Sequence, residues 1–285
     1  VTGVQTSALP ILDFLFKASV EAAGGTVKLL PVDPITGALD LDALPRLLTA
    51  RTRLLGVCNP LNPVGRVLTP AELRVLGEFA VAHDLWIMND EIWSDIVHAP
   101  HVFTSLPTLS SAIAARCFTV YGFSKTFGLA GLRVGAVIAP DLERFEALVE
   151  TSLARTTMTG VSTLSQVAAM AACDSGWPWA EEFLAHLTRM RDLGVEALRA
   201  VPGVSIRPPE GTYVLFPRVA ELGVDVETLC ASLRTEARVA VVPGAARWFG
   251  PGAEGHLRIC LATSEGILTE GLRRLTNHLR VVGRR

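Results

Sequence analysis

Lysine is almost missing from this chain of 285 residues: 23 arginines stand against three lysines, Lys17, Lys28 and Lys125. Metal-ligand spacing is missing altogether. The five cysteines (Cys58, Cys117, Cys173, Cys230, Cys260) form no CxxC pair, and the six histidines form no HxxxH or HExxH pattern. Neither a metal site nor a disulfide framework is expected, and the cysteines read as buried small apolar residues. No apolar run approaches the ~18 residues of a membrane-spanning helix, and no basic segment precedes an apolar stretch at the N-terminus, as it would in a signal peptide. A cytoplasmic protein is expected, with no membrane contact. A basic surface is also lacking, because the net charge is -2 and the arginines are scattered. That excludes an electrostatic nucleic-acid footprint. The one basic cluster, residues 280–285, reads as a solvated terminus.

What is present is core material. Hydrophobic residues make up 49% of the chain and charged residues 19%, the profile of a compact fold. Short apolar runs at residues 26–32, 53–58, 85–89, 116–121 and 134–139 alternate with helical patterns such as residues 70–83, where Leu73, Leu76 and Phe79 share a face. Thr69 as cap and Pro70 in the first turn are a helix start signal. Continuous apolar strands separated by helices predict an α/β fold, a mainly parallel sheet sandwiched by helices. Helices follow at about 142–154, 162–172 and 180–201. After Pro202 short strands near 204–206, 213–216, 239–242 and 257–261 alternate with helices near 226–234 and 264–279. The expected division is a large unit of residues 1–180 and a smaller C-terminal α+β unit of residues 181–285. The first ten residues carry no clear element.

The scarcity of lysine makes each one a chemical question. Arginine stays protonated, whereas a lysine can lose its proton and attack a carbonyl. Lys17 and Lys28 read as surface charges. Lys125 lies in Tyr121-Gly122-Phe123-Ser124-Lys125-Thr126-Phe127-Gly128, just after an apolar strand, with Arg133 eight residues on. Small residues let backbone approach a ligand there, and Ser124 with Arg133 suits an anion such as phosphate. Two more motifs also end apolar strands, where ligands of such sheets bind. Asn59-Pro60-Leu61-Asn62-Pro63-Val64-Gly65 is a rigid turn; alone, it reads equally well as a plain tight loop. Asp90, in Asn89-Asp90-Glu91-Ile92-Trp93, is either a cap or a carboxylate held against a cationic ring nitrogen. Arg258, in His256-Leu257-Arg258-Ile259-Cys260-Leu261, either points to solvent, the ordinary reading, or grips a carboxylate.

Taken together, these motifs resemble the class I/II aminotransferases, enzymes of the fold type I group that use pyridoxal 5'-phosphate (PLP), over residues 20 to 280. The resemblance implies an aminotransferase moving an amino group between an amino acid and a 2-oxo acid, and a homodimer. Carried over residue by residue, Lys125 would hold the cofactor as a Schiff base and shuttle the substrate's α-proton. Asp90 would pair with the pyridine nitrogen, and Asn62 would bond the ring hydroxyl oxygen beside the substrate. Ser124 and Arg133 would hold the phosphate, and Arg258 the substrate carboxylate. The pattern departs in three places. Trp93 stands where the family commonly has Tyr, and Gly122 where it often has a hydroxyl. Its N-terminal arm and Gly-rich helix start are not found before residue 20, so the sequence looks like a fragment. Two rivals remain. Asn62–Val67, Asp90–Asp95 and Pro209–Tyr213 resemble carbon–sulfur β-lyases of the same fold, although Gly131-Leu132-Arg133-Val134-Gly135 is closer to aminotransferases. The other is a chain without activity, either an inactive fragment or a non-catalytic aminotransferase-like sensing domain; the latter would need a basic DNA-binding segment, which is not seen.

Overall fold

A computed structural model describes residues 5–8, 14–33, 35–156 and 160–283. Six strands form the main sheet: β1 (Gln5–Ala8), β2 (Thr26–Leu29), β3 (Thr52–Cys58), β4 (Trp86–Asp90), β5 (Cys117–Gly122) and β6 (Gly135–Ile138). Their order is β2-β1-β3-β4-β5-β6. Every neighbouring pair is parallel except β5 with β6, which runs antiparallel. The expected parallel architecture is therefore present. β3, inside the sheet, is buried along most of its length, whereas the edge strand β6 is exposed throughout. The expectation that the first ten residues carry no element is corrected, since Gln5–Ala8 is a strand between β2 and β3; the rest of those ten lie outside the described residues.

The helix Pro70–Ala82 shows how locally these elements are specified. The Thr69 side chain accepts from the Glu72 amide while Glu72 accepts from the Thr69 amide, a capping box with Pro70 in the first turn. Glu72 is also gripped by both Arg66 guanidinium nitrogens, at 2.7 and 2.9 Å. Leu73, Leu76 and Ala80 face the core of the sheet unit, packed with Leu55, Val57, Leu85 and Ile87. Gly77 is glycine because a Cβ would stand 2.5 Å from Ile113 Cδ1.

A second core gathers Met190, Leu198, Leu215, Leu229, Leu257, Leu272 and Leu279. It packs a three-stranded antiparallel sheet, β7 (Val214–Leu215), β8 (Val242–Gly244) and β9 (His256–Cys260), in the order β7-β9-β8. The helices Trp177–Arg199 and Glu265–Val282 cover it. Residues 204–206 are not the strand expected; Ser205 makes only an isolated bridge to Arg218. The cysteine reading is corrected too, because Cys173 and Cys260 are exposed and only Cys58 and Cys117 are fully buried. Of the basic terminus, Arg280 belongs to the last helix, and residues 284–285 lie outside the described residues.

The two cores are stitched together beside β4. The Thr212 amide donates to the Ile96 carbonyl and the His98 amide to the Glu210 carbonyl, both at 2.8 Å. Gly211 fits because a Cβ would lie 2.9 Å from the Ile96 carbonyl oxygen and from Pro60. His98 is fully buried; Nε2 bonds the Thr212 carbonyl at 3.0 Å and Nδ1 the Thr188 hydroxyl at 2.9 Å. Burial pushes its pKa from 6.5 down to about 4. The unfolded chain therefore takes up a proton below pH 6.5 that the native ring refuses until about pH 4. Stability should fall as pH drops through that window, by roughly 3 kcal/mol at its foot. Urea unfolding at pH 7 and pH 4.5 should show this loss for the wild type and a much smaller one for His98→Asn. Equal losses would overturn the assignment.

Candidate active site

Three neighbouring parallel strands end side by side, and each ends in a predicted residue or motif. β3 leads into the Asn-Pro turn, where the Leu61 amide donates to Arg66 and the Gly65 amide to Leu61, both at 2.7 Å. Gly65 has φ +68°, and a Cβ there would collide with Pro209. The two asparagines of the turn differ in role. Asn59 is engaged with the fold: its Oδ1 accepts from the Leu68 amide at 2.9 Å and its Nδ2 donates to the Thr104 carbonyl at 3.3 Å. Asn62 is buried, and its Oδ1 has no hydrogen-bond partner among the described residues. A buried amide oxygen left unpaired is costly unless something outside the chain completes it.

β4 delivers Asp90. Its backbone carbonyl accepts from the Asn59 amide at 3.0 Å, and its Oδ1 accepts from the Ile92 amide at 3.0 Å. The adjacent Glu91 is structural, accepting from Asn89 Nδ2 at 2.6 Å, the Ser105 hydroxyl at 2.8 Å and the Leu106 amide at 3.2 Å. β5 delivers Lys125 through the four-residue helix Phe123–Thr126. Gly122 precedes that helix because a Cβ would sit 2.8 Å from Ile92 Cγ1. The hydroxyl that the family often carries there has no room, since the segment after Asp90 occupies it.

Trp93 is the hub of the site. Its ring is buried, Lys125 Nζ lies 5.0 Å from its centroid, and the Tyr213 ring meets it edge-on at 4.6 Å. Tyr213 belongs to the smaller core, where its carbonyl accepts from Leu261 next to β9. Its phenol is pushed up to about 12, chiefly by burial and then by Cys260, with the Arg258 charge pulling the other way. Arg258, on β9, is thus in electrostatic reach of the ring that touches Trp93. Its Nε is buried without an acceptor among the described residues, and its guanidinium lies 5.9 Å from the Phe249 centroid.

The anion candidates sit at the same sheet edge. Ser124 is half-buried in the lysine helix. Arg133 is exposed and left-handed at φ +53°, two residues before Gly135, which pairs with Gly122. Its guanidinium makes no ion pair or hydrogen bond with the described residues. The structure therefore brings Asn62, Asp90, Ser124, Lys125 and Arg133 to one end of the main sheet, with Arg258 joined through Trp93 and Tyr213. Sequence reasoning missed Asp95, whose Oδ2 accepts from both the Tyr121 and Thr126 hydroxyls; no linear pattern joins those three positions. Among the described residues no His, Cys, Asp and Glu group is placed to hold a metal ion, and no helix is long and apolar enough to cross a membrane.

Comparison with known proteins points the same way. The sequence profile of the family Aminotransferase class I and II matches residues 15–275. An aspartate aminotransferase of Pyrococcus abyssi (strain GE5 / Orsay) is 33% identical over 264 residues, 92% of this chain and 66% of that protein. A cystathionine beta-lyase of Bacillus subtilis (strain 168) is 31% identical over 241 residues, 84% of this chain and 61% of that protein. The crystal structure of a PLP-bound protein from Clostridium difficile 630 superposes with a TM-score of 0.89 at 29% identity, covering 98% of this chain and 71% of that one. The chain spans 58% to 66% of the length of the curated relatives it matches.

Proposed function

Since the chain belongs to the class I and II aminotransferase family, we propose that it is a PLP-dependent aminotransferase, moving an amino group between an amino acid and a 2-oxo acid. The observation that carries this reading is the placing of Asp90 and Lys125 at the carboxyl ends of adjacent strands, with Trp93 from the Asp90 segment under the lysine ammonium. The residues present fit the cofactor. An amine, a carboxylate, the buried Asn62 amide, its Oδ1 unpaired among the described residues, and an Arg133 guanidinium with no ion pair to the described residues are the partners that an aldehyde, a ring nitrogen, a ring hydroxyl and a phosphate require.

When bound, PLP supplies an electron sink for charge developing at the substrate's α-carbon. The chain does the rest. Lys125 would hold the cofactor, and its amine would carry the substrate's α-proton. Asp90 holds a proton on the ring nitrogen by its negative charge. Asn62 would bond the ring hydroxyl, and Ser124 with Arg133 would grip the phosphate. Arg258, its Nε unpaired among the described residues and its guanidinium beside Phe249, would bind the substrate carboxylate together with Asn62. The reading includes a division at residues 1–180 and 181–285, a cytoplasmic location and a homodimer. The exposed apolar edge of β6, with Val137 and Ile138, and the exposed Leu164, Val167 and Met170 support contact with a further polypeptide surface.

A carbon–sulfur β-lyase is the second reading, favoured by Trp93 in place of Tyr and by the similarity to a cystathionine beta-lyase. One assay separates them. The PLP-loaded protein is given aspartate or phenylalanine with 2-oxoglutarate, and separately cystathionine without any acceptor. Glutamate formation in the first is expected. Pyruvate and ammonia from cystathionine, with no amino transfer in the first, would replace the aminotransferase reading.

A further inference from the structure

We propose that Asp95 is a positioning residue for Lys125, a role that rests on the reading of the site given above. One oxygen, Asp95 Oδ2, accepts from the Tyr121 phenol at 2.7 Å and from the Thr126 hydroxyl at 2.7 Å. Tyr121 lies on β5 four residues before the lysine, and Thr126 directly follows it. Asp95 comes two residues after Trp93 and five after Asp90. A single carboxylate oxygen therefore fastens both flanks of the lysine to the segment that carries the other half of the site.

The lysine needs such fastening. The helix Phe123–Thr126 is one turn long, and a single turn has little stability of its own. Phe123 and Thr126 are buried, whereas Lys125 between them is only half-buried. Its flexible four-carbon stem can sweep a wide volume unless the backbone beneath it is held. On the opposite side, Trp93 is fixed by burial and by Tyr213. Clamping residues 121 and 126 to Asp95 thus sets where the ammonium lies over the indole. The clamp is also chemically robust. Burial, then the hydrogen bond and charge of Asp95, push the Tyr121 phenol up, so it remains a donor over the whole working range.

The test reads attachment at Lys125, not turnover. The protein is mixed with PLP for timed intervals and reduced with borohydride, and the Lys125 peptide is quantified by mass. Asp95→Ala should slow attachment about tenfold, because a reacting group misplaced by a fraction of an ångström loses rate steeply. Asp95→Asn should return to within about threefold of the wild type, since one amide oxygen can accept from both hydroxyls where Oδ2 now does. The pair Tyr121→Phe with Thr126→Ala removes both donors and leaves the carboxylate. It should match Asp95→Ala, and it carries the test if Asp95→Ala fails to fold. Attachment at the wild-type rate in Asp95→Ala, or an Asp95→Asn as slow as Asp95→Ala, would overturn the role. Failure of the wild type itself to label at Lys125 would instead sink the functional reading beneath it.

Discussion

Lys125→Ala is expected to abolish covalent retention of PLP and its lysine-dependent visible absorbance, and to lower amino transfer by roughly 10⁴-fold or more. The size follows from two losses at one atom: the nucleophile that attaches the cofactor and the base that moves the α-proton, the latter alone worth 10²–10⁴. Neither of the other two lysines can deputise. Lys28 lies on β2, the far edge of the sheet in the order β2-β1-β3-β4-β5-β6. With neighbouring strands about 4.8 Å apart, it is roughly 19 Å from β5, well beyond the reach of a lysine side chain. Lys17 is an exposed helix residue 3.8 Å from Glu21. Lys125→Arg is the informative companion. It keeps a cation over the Trp93 ring, a contact of about 0.5–2 kcal/mol, yet a guanidinium stays protonated and makes no attachment. Both variants should fold, by circular dichroism and urea midpoint, and both should lose the borohydride-reducible label. A label retained elsewhere at wild-type stoichiometry would remove Lys125 from the chemistry.

The parallel sheet and the residues at its carboxyl ends were legible because both rest on local signals. Apolar runs such as Thr52–Cys58 sit on both-faces-covered strands, and the turns after them announce themselves by Asn-Pro pairs and glycine. Elements without such a signal were not legible. Gln5–Ala8 reads QTSA, with no apolar run, and becomes a strand only because β2 and β3 flank it. Residues 204–206 have strand composition but form a single bridge to Arg218. Within the site, spacing alone could not tell Asn59 from Asn62; the difference is which amide the fold already uses. Nor could it explain Gly122, whose missing hydroxyl is a packing consequence of Ile92. The Asp95 clamp joins positions 26 and 31 residues apart in the chain, a relation that exists only once β4 and β5 lie side by side. Trp93 is the instructive case. In sequence it marks a lost hydroxyl contact, whereas in the fold it is the surface on which Lys125 and Tyr213 meet.

Asp90→Asn should separate attachment from turnover. Lys125 is untouched by this change, so PLP should still be retained and reducible by borohydride, while amino transfer falls by roughly 10–10³. The reason is charge alone. A carboxylate beside a ring nitrogen raises that nitrogen's pKa by about 1–3 units, and each unit lost at neutral pH removes tenfold of the protonated form that draws electrons from the α-carbon. Asparagine keeps the volume and an oxygen to accept from the Ile92 amide, the bond Asp90 Oδ1 makes now at 3.0 Å. Stability should therefore be nearly unchanged, whereas Asp90→Ala drops that bond and adds a loss of about 1 kcal/mol. The deficit of Asp90→Asn should narrow as pH falls from 8 to 6, because the solvent then supplies the proton that the carboxylate no longer holds. Steady-state rates of wild type and Asp90→Asn across that range test the sign directly. A variant within about threefold of wild type at pH 8, below even the tenfold that one lost unit would give, would show that the β4 carboxylate does not govern the ring nitrogen. So would a deficit that widens toward acid.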